Sequence, residues 1–99
     1  MIDFNTIVSN LDGTPAKEND KDITLKLLVT SALSSQFQDE PNLSSDKKFK
    51  RGMLAYDIYK MTEPATLKSE DISTIKEVVG KAYSPFVVYQ CYKLLDAGE

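Results

Sequence analysis

The chain has 99 residues, of which 41% are hydrophobic and 27% charged, and its net charge at pH 7 is −3. This length suits a single domain over residues 1–99, and the balanced composition excludes an intrinsically disordered chain. No run approaches the roughly 18 consecutive apolar residues that cross a membrane. The first residues lack the basic and apolar regions of a signal peptide, so the expected location is the cytoplasm.

The composition also limits the chemistry. Histidine is absent and Cys91 is the only cysteine, which excludes Ser–His and Cys–His nucleophilic systems and any internal disulfide. The acids from Asp12 to Asp22 lack the spacing of a calcium-binding loop. Gly80-Lys81 lacks the upstream glycine of a phosphate-binding loop. We therefore predict a protein that is not an enzyme and that holds neither a metal nor a cofactor.

Residues 1–22 predict a small hairpin followed by a polar loop. Asp12-Gly13 is a turn dipeptide, and it lies between residues 2–8 and a short return strand predicted at 14–16. Pro15 confines that return strand to an edge. Residues 17–22 are nearly all charged or polar, which predicts a loop.

Residues 24–97 predict about four helices. Thr24 is a suitable N-cap for the first, and Ser44 or Ser45 for the second, which then extends to about Met61. Apolar residues at helical spacing follow both caps. Glu63-Pro64 ends the second helix.

Two further caps predict the remaining helices. Ser69 precedes an acidic first turn and an apolar stripe, and Ser84-Pro85 places proline at the tolerated first position of a helix. These signals predict a mainly α fold, α+β at the margin, built as a compact bundle of about four helices with a small N-terminal β-hairpin.

A helical wheel divides the second helix into two apolar stripes. One stripe consists of Phe49, Met53 and Tyr56. The other consists of Leu54, Ile58 and Met61. A helix that is apolar on two sides either lies centrally in the core or offers its second side to a partner. Both interpretations stay open, with Leu54, Ile58 and Met61 as candidate partner contacts.

The second helix also carries the basic cluster of the chain, residues 47–51. Lys47, Lys48 and Arg51 share a broad face that can neutralise phosphates, whereas Phe49 fits the core better than base stacking. An isoelectric point near 4.9 argues against a dedicated nucleic-acid-binding protein. A solvated helix face is therefore the leading interpretation, with nucleic acid or an acidic protein partner as alternatives.

Charge is unevenly distributed along the chain. Residues 1–22 carry two lysines against five carboxylates, a net of −3, and residues 45–60 carry five cations against two carboxylates, a net of +3. The two regions either attract one another within the fold or serve separate partners.

On the fourth helix, Phe86 and Tyr89 fall outside the apolar arc that contains Cys91. Exposed aromatic pairs anchor interfaces, so both residues are candidate partner contacts, although Phe86 can equally pack on the preceding corner. Cys91 is predicted to be an inert core residue.

Three segments carry a resemblance: residues 11–15 (LDGTP), 23–25 (ITL) and 80–88 (GKAYSPFVV). They look like a group of small proteins of tailed bacteriophages and prophages to which no chemistry is assigned. The resemblance implies a phage accessory or assembly protein and supplies no catalytic residues. The resulting hypothesis is a non-enzymatic protein that binds another protein or itself as a homo-oligomer.

Overall fold

The computed structural model describes residues 1–98, which form two short strands and four helices. In chain order these are β1 (Lys17–Glu18), β2 (Lys21–Asp22), α1 (Leu25–Leu33), α2 (Ser45–Lys60), α3 (Ser69–Ala82) and α4 (Pro85–Ala97). The prediction of a mainly helical fold with an N-terminal hairpin is confirmed. Within the described part of the chain, no helix is both long and apolar enough to span a membrane.

The hairpin lies later in the chain than the sequence suggested. β1 and β2 pair antiparallel across residues 17–22, where a polar loop was predicted. Asn19 and Asp20 make the turn with positive φ angles of 51° and 65°. Asparagine and aspartate tolerate this left-handed conformation, which twists in the sense of the flanking strands. A polar sequence can therefore form a hairpin without an apolar face.

The turn predicted at Asp12-Gly13 is present, but it closes on one bridged pair, Ser9 with Pro15. Gly13 has a φ of +89°. The Asp12 carboxylate accepts hydrogen bonds from the Thr14 amide at 3.0 Å and from the Thr14 hydroxyl at 2.6 Å. This local bonding holds the pKa of Asp12 below its usual value.

Helix caps position the helices as the sequence predicts, to within one residue. Thr24 and Ser44 each accept a backbone amide hydrogen bond, at 3.2 Å in both cases. The N-cap of α3 is Lys68 rather than the predicted Ser69, which is the first helical residue. Only Tyr83 and Ser84 separate α3 from α4, so the predicted short link between these helices is confirmed.

A connected core draws on the N-terminal segment and on all four helices. Ile2 and Phe4 are each 1% exposed. The other buried hydrophobic residues are Val8, Leu25, Leu28, Val29, Ala32, Leu33, Leu54, Ala55, Ile58, Ile72, Ile75, Val78, Val79, Cys91 and Leu95. α1 packs against both α2 and α3, and α3 packs against α4. α1 and α3 thus lie between neighbours, whereas α2 packs on α1 from one side.

Side-chain hydrogen bonds tie segments distant in sequence. Gln90 on α4 accepts from the Ser9 amide and donates to the Ser9 carbonyl, both at 2.9 Å. The Tyr83 hydroxyl donates to the carbonyl of Leu28 on α1. The Tyr92 hydroxyl donates to the Lys76 carbonyl at 2.7 Å. These bonds hold the N-terminal segment and the α3–α4 corner on the core, and leave the far side of α2 uncovered.

Candidate protein-binding face

The uncovered side of α2 carries four large hydrophobic side chains. Phe49 is 69% exposed, Met53 50%, Tyr56 63% and Tyr59 69%. At about 100° per residue these positions fall in one stripe, together with Gly52 and Lys60. We call Phe49, Gly52, Met53, Tyr56, Tyr59 and Lys60 the outer face of α2.

Two details shape this outer face. The Lys60 ammonium lies 4.8 Å from the centre of the Tyr56 ring, a cation–π contact between residues four apart on the helix. Gly52 lies in the middle of the stripe, and a Cβ added there would meet no atom within 4 Å. The outer face is therefore a row of aromatic side chains with a gap at its centre.

A shallow groove continues the outer face toward α1. Its volume is about 450 Å³, and its lining residues are Thr30, Ser31, Ser34, Gly52, Ala55, Tyr56 and Tyr59. The α1 side of the groove supplies hydroxyl groups and the α2 side supplies aromatic rings. An incoming side chain would find both apolar contact and hydrogen-bonding groups there.

The stripe that the sequence nominated for partner contacts is the opposite one, and the structure places it inward. Leu54 is 8% exposed and Ile58 is fully buried, so neither can contact a partner. Met61 is half-buried against the core, and its carbonyl accepts a hydrogen bond from the Lys26 ammonium. The assignment of Leu54 and Ile58 as surface contacts is wrong because α1 covers this side of α2.

The expectation that Phe49 belongs to the core is wrong for the same reason. Sequence reasoning identified the stripe of Phe49, Met53 and Tyr56 but assigned it inward, and it missed Tyr59. Composition could have distinguished the two stripes. The buried stripe is aliphatic, whereas the outer face holds two tyrosines and a glycine, residue types that suit a surface in contact with both water and a partner.

The candidate contacts on α4 form a smaller aromatic surface. Phe86 is half-buried, and Tyr89 is 58% exposed. Their rings stack with centroids 6.2 Å apart and planes 17° apart. The Lys93 ammonium lies 5.8 Å from the centre of the Tyr89 ring. Of this pair, Tyr89 presents the larger area to solvent.

Of the three residues predicted to form a basic face, only the two lysines are available at the surface. Lys47 and Lys48 are exposed, but Arg51 is only 6% exposed and is held by Glu40. The Arg51 guanidinium donates to the two carboxylate oxygens of Glu40 at 2.8 and 2.9 Å. Arg51 is therefore unavailable to a phosphate, and its assignment as a nucleic-acid contact is wrong.

Arg51 belongs to a charged cluster of five side chains. Lys81 on α3 approaches Glu40 at 2.9 Å, Asp39 at 3.2 Å and Glu77 at 3.7 Å. Hydrogen bonds from Arg51, and then from Lys81, lower the pKa of Glu40 from its ordinary value of 4.5 to about 2. The same contacts raise the pKa values of Arg51 and Lys81. The opposite charges pair with each other, so this cluster acts as a clamp: it fixes the connector between α1 and α2 to α2 and α3.

A cavity of about 400 Å³ lies beside this clamp. Its lining includes Leu33, Phe37 and Gly52 as well as Glu40, Lys48 and Arg51. Every fully buried side-chain nitrogen and oxygen within residues 1–98 has a hydrogen-bond partner. In this lining Glu40 and Arg51 are engaged with each other, so neither offers free hydrogen-bonding capacity to a ligand.

The described residues contain no group of three or more side chains of the types that could hold a metal ion. Cys91 is buried, as predicted, and its burial raises the pKa of the thiol to about 11. A thiol with such a pKa stays protonated near neutral pH and is a poor nucleophile.

Comparison of the chain with protein-family models, with curated proteins and with solved structures finds no match.

Proposed function

We propose that this protein binds another protein through the outer face of α2, without catalysing a reaction. One observation carries the proposal: four large hydrophobic side chains of a single helix are each at least 50% exposed. Single exposed hydrophobic residues are common on protein surfaces, but contiguous apolar patches mark interaction sites. Here the four side chains are neighbours at helical spacing.

The residue types on this face are those that contribute most to binding. Tyrosine and phenylalanine are enriched in interfaces and serve as anchors in pockets of the partner. Gly52 allows a partner to approach the helix backbone closely, since no atom occupies the position of its missing side chain. Lys60 adds a charge that a partner's carboxylate can pair with.

Other features of the chain agree with a binding role. The thiol of Cys91 is buried, and the charged groups around Arg51 are tied to each other, so neither supplies a reactive group to a substrate. The setting of a phage accessory or assembly protein rests on the resemblance alone.

Single-stranded nucleic acid is the second candidate, and exposed Phe49 favours it. Phe49 lies beside exposed Lys48, and aromatic rings next to lysines form stacking platforms for bases. Against this stand the net charge of −3 and the capture of Arg51 by Glu40. Fluorescence anisotropy of labelled oligo(dT) and oligo(U) at 20 mM salt tests this alternative. Binding lost on Phe49→Ser would replace the protein-binding proposal.

The proposal is tested by photo-crosslinking from the outer face. p-Benzoylphenylalanine is introduced at position 56 and, as a matched control, at exposed Ser73 on α3. We expect irradiation in the native cell to give a protein adduct from position 56 that mass spectrometry identifies, with no such adduct from position 73. Equal yields from both positions, or adducts removed by nuclease, would overturn the proposal.

A further inference from the structure

We infer that the outer face of α2 receives the turn at residues 10–14 of a second copy of this chain, so that copies associate head to tail. This inference rests on the proposed function and names the partner. We call residues 10–14 the Leu11 turn. Two independent features of the structure carry the inference: an exposed leucine in a firmly bonded turn, and charges that the fold leaves uncompensated.

The Leu11 turn presents an apolar side chain outward. Leu11 is 84% exposed, the largest value among the exposed large hydrophobic residues within 1–98. The Asn10 amide donates to the Thr14 carbonyl at 2.8 Å, and Asp12 accepts two hydrogen bonds from Thr14. Gln90 holds the neighbouring Ser9 at two points. A turn held in this way loses little conformational entropy when its leucine enters a groove.

The electrostatics match between two copies. Residues 1–22 have a net charge of −3. Residues 45–60, without Arg51, which Glu40 holds, carry four lysines against two carboxylates, a net of +2. Within residues 1–98 no ion pair joins the two regions: the described pairs are Lys17–Asp22, Lys76–Asp96 and those of the cluster around Arg51 and Lys81. The acidic and basic regions are thus free to face each other across an interface.

The same charges select the geometry of association. Two α2 helices packed face to face would bring Lys48 and Lys60 of each copy toward those of the other, and like charges oppose such a pairing. Pairing of the Leu11 turn with α2 instead brings the carboxylate of Asp12, the neighbour of Leu11, toward a helix that carries Lys48 and Lys60. When the Leu11 turn of one copy binds the outer face of another, the resulting pair still has one free turn and one free outer face. Further copies can therefore add, and the association continues into a ring or a filament.

Two variants test the inference by complementation. Leu11→Asp disables the turn and Tyr56→Asp disables the outer face, and both side chains are exposed, so the fold should survive. We expect the wild type to self-associate with increasing concentration in sedimentation velocity. Each variant alone should stay monomeric, and an equimolar mixture should form a 1:1 dimer that grows no further, because it contains one intact pair of surfaces.

Several outcomes would overturn the inference. A wild type that stays monomeric at about 1 mM rules out self-association at the millimolar level. A mixture that stays monomeric while the wild type associates means that other surfaces are used. If circular dichroism shows that an aspartate variant is unfolded, Leu11→Ser and Tyr59→Ser replace the pair. A monomeric wild type that still gives a specific adduct from position 56 refutes the self-association and leaves the proposed function standing.

Discussion

Glu40 and Arg51, eleven residues apart, form a bidentate ion pair with N···O distances of 2.8 and 2.9 Å. The pair joins the connector after α1 to the first half of α2, and Lys81 adds α3 at 2.9 Å from the same carboxylate. Three segments are thus held by one acid. The pair also removes Arg51 from the basic surface, which leaves the outer face of α2 as the main candidate for binding.

Replacement of Arg51 should destabilise the fold. In Arg51→Met the Glu40 carboxylate keeps Lys81 but loses two charged hydrogen bonds, so we expect the free energy of unfolding to fall by about 2 kcal/mol. Urea denaturation measures this change. Lys48→Met, on the exposed part of the same helix, is the matched control and should change stability by less than about 0.5 kcal/mol. Equal effects of the two substitutions would contradict a structural role for the pair.

The contribution of Glu40 should depend on pH in a defined window. Its pKa is about 2 in the folded chain against an ordinary value of 4.5, so its ionised form is favoured by folding. The resulting stabilisation is complete above about pH 4.5 and is lost as the pH falls through 2. Denaturation of the wild type and of Glu40→Gln at several pH values measures the difference. A difference that stays constant from pH 6 to pH 2 would refute this origin.

Two glycines should respond oppositely to alanine. At Gly98 an added Cβ would overlap Cγ1 of Ile2, which is buried, so Gly98→Ala should cost about 1–3 kcal/mol. At Gly52 the added Cβ meets open space inside a helix, so Gly52→Ala should stabilise by about 0.5–1 kcal/mol. Thermal denaturation of both variants checks the pair. Stabilisation by Gly98→Ala would mean that Gly98 does not pack on Ile2.

The two sides of α2 should differ in their effect on stability. Leu54 is buried, so Leu54→Ala should lower the free energy of unfolding by about 2–3 kcal/mol through the lost contacts and the cavity. Tyr56→Ala, two residues away on the exposed side, should change it by less than about 0.5 kcal/mol. Chemical denaturation of both variants is the measurement. A larger loss of stability from Tyr56→Ala than from Leu54→Ala would mean that Tyr56 lies in the core and that the outer face is not exposed.

Local signals in the sequence were sufficient to predict where the helices begin. The hydroxyls of Thr24 and Ser44 mark helix starts because each accepts a hydrogen bond from an amide three residues later. Pro85 marks the start of α4 because its fixed φ suits the first helical position, and Ser84 makes no capping hydrogen bond there. The hairpin at residues 17–22 was missed because its turn depends on the left-handed conformations of Asn19 and Asp20, which apolar patterning does not reveal.

The candidate site depended on non-local information that the sequence does not contain. A helical wheel separates the stripe of Phe49 from that of Ile58, but which stripe faces inward depends on where α1 lies. Likewise, the local sequence predicts that Arg51 is an exposed cation. Only the folded connector, which places Glu40 against it, shows that Arg51 is buried. Both errors arise from contacts between elements, and neither arises from the helix itself.

The most direct test of the outer face combines crosslinking from position 56 with substitution of other aromatic residues on the same face. The yield of the protein adduct from position 56 is measured in the wild-type background and in the Phe49→Ser, Tyr59→Ser double variant. Each aromatic anchor contributes on the order of 1–2 kcal/mol to binding, so the yield should fall at least about tenfold while the free energy of unfolding changes by less than about 1 kcal/mol. An unchanged yield in the folded double variant would contradict binding through this face.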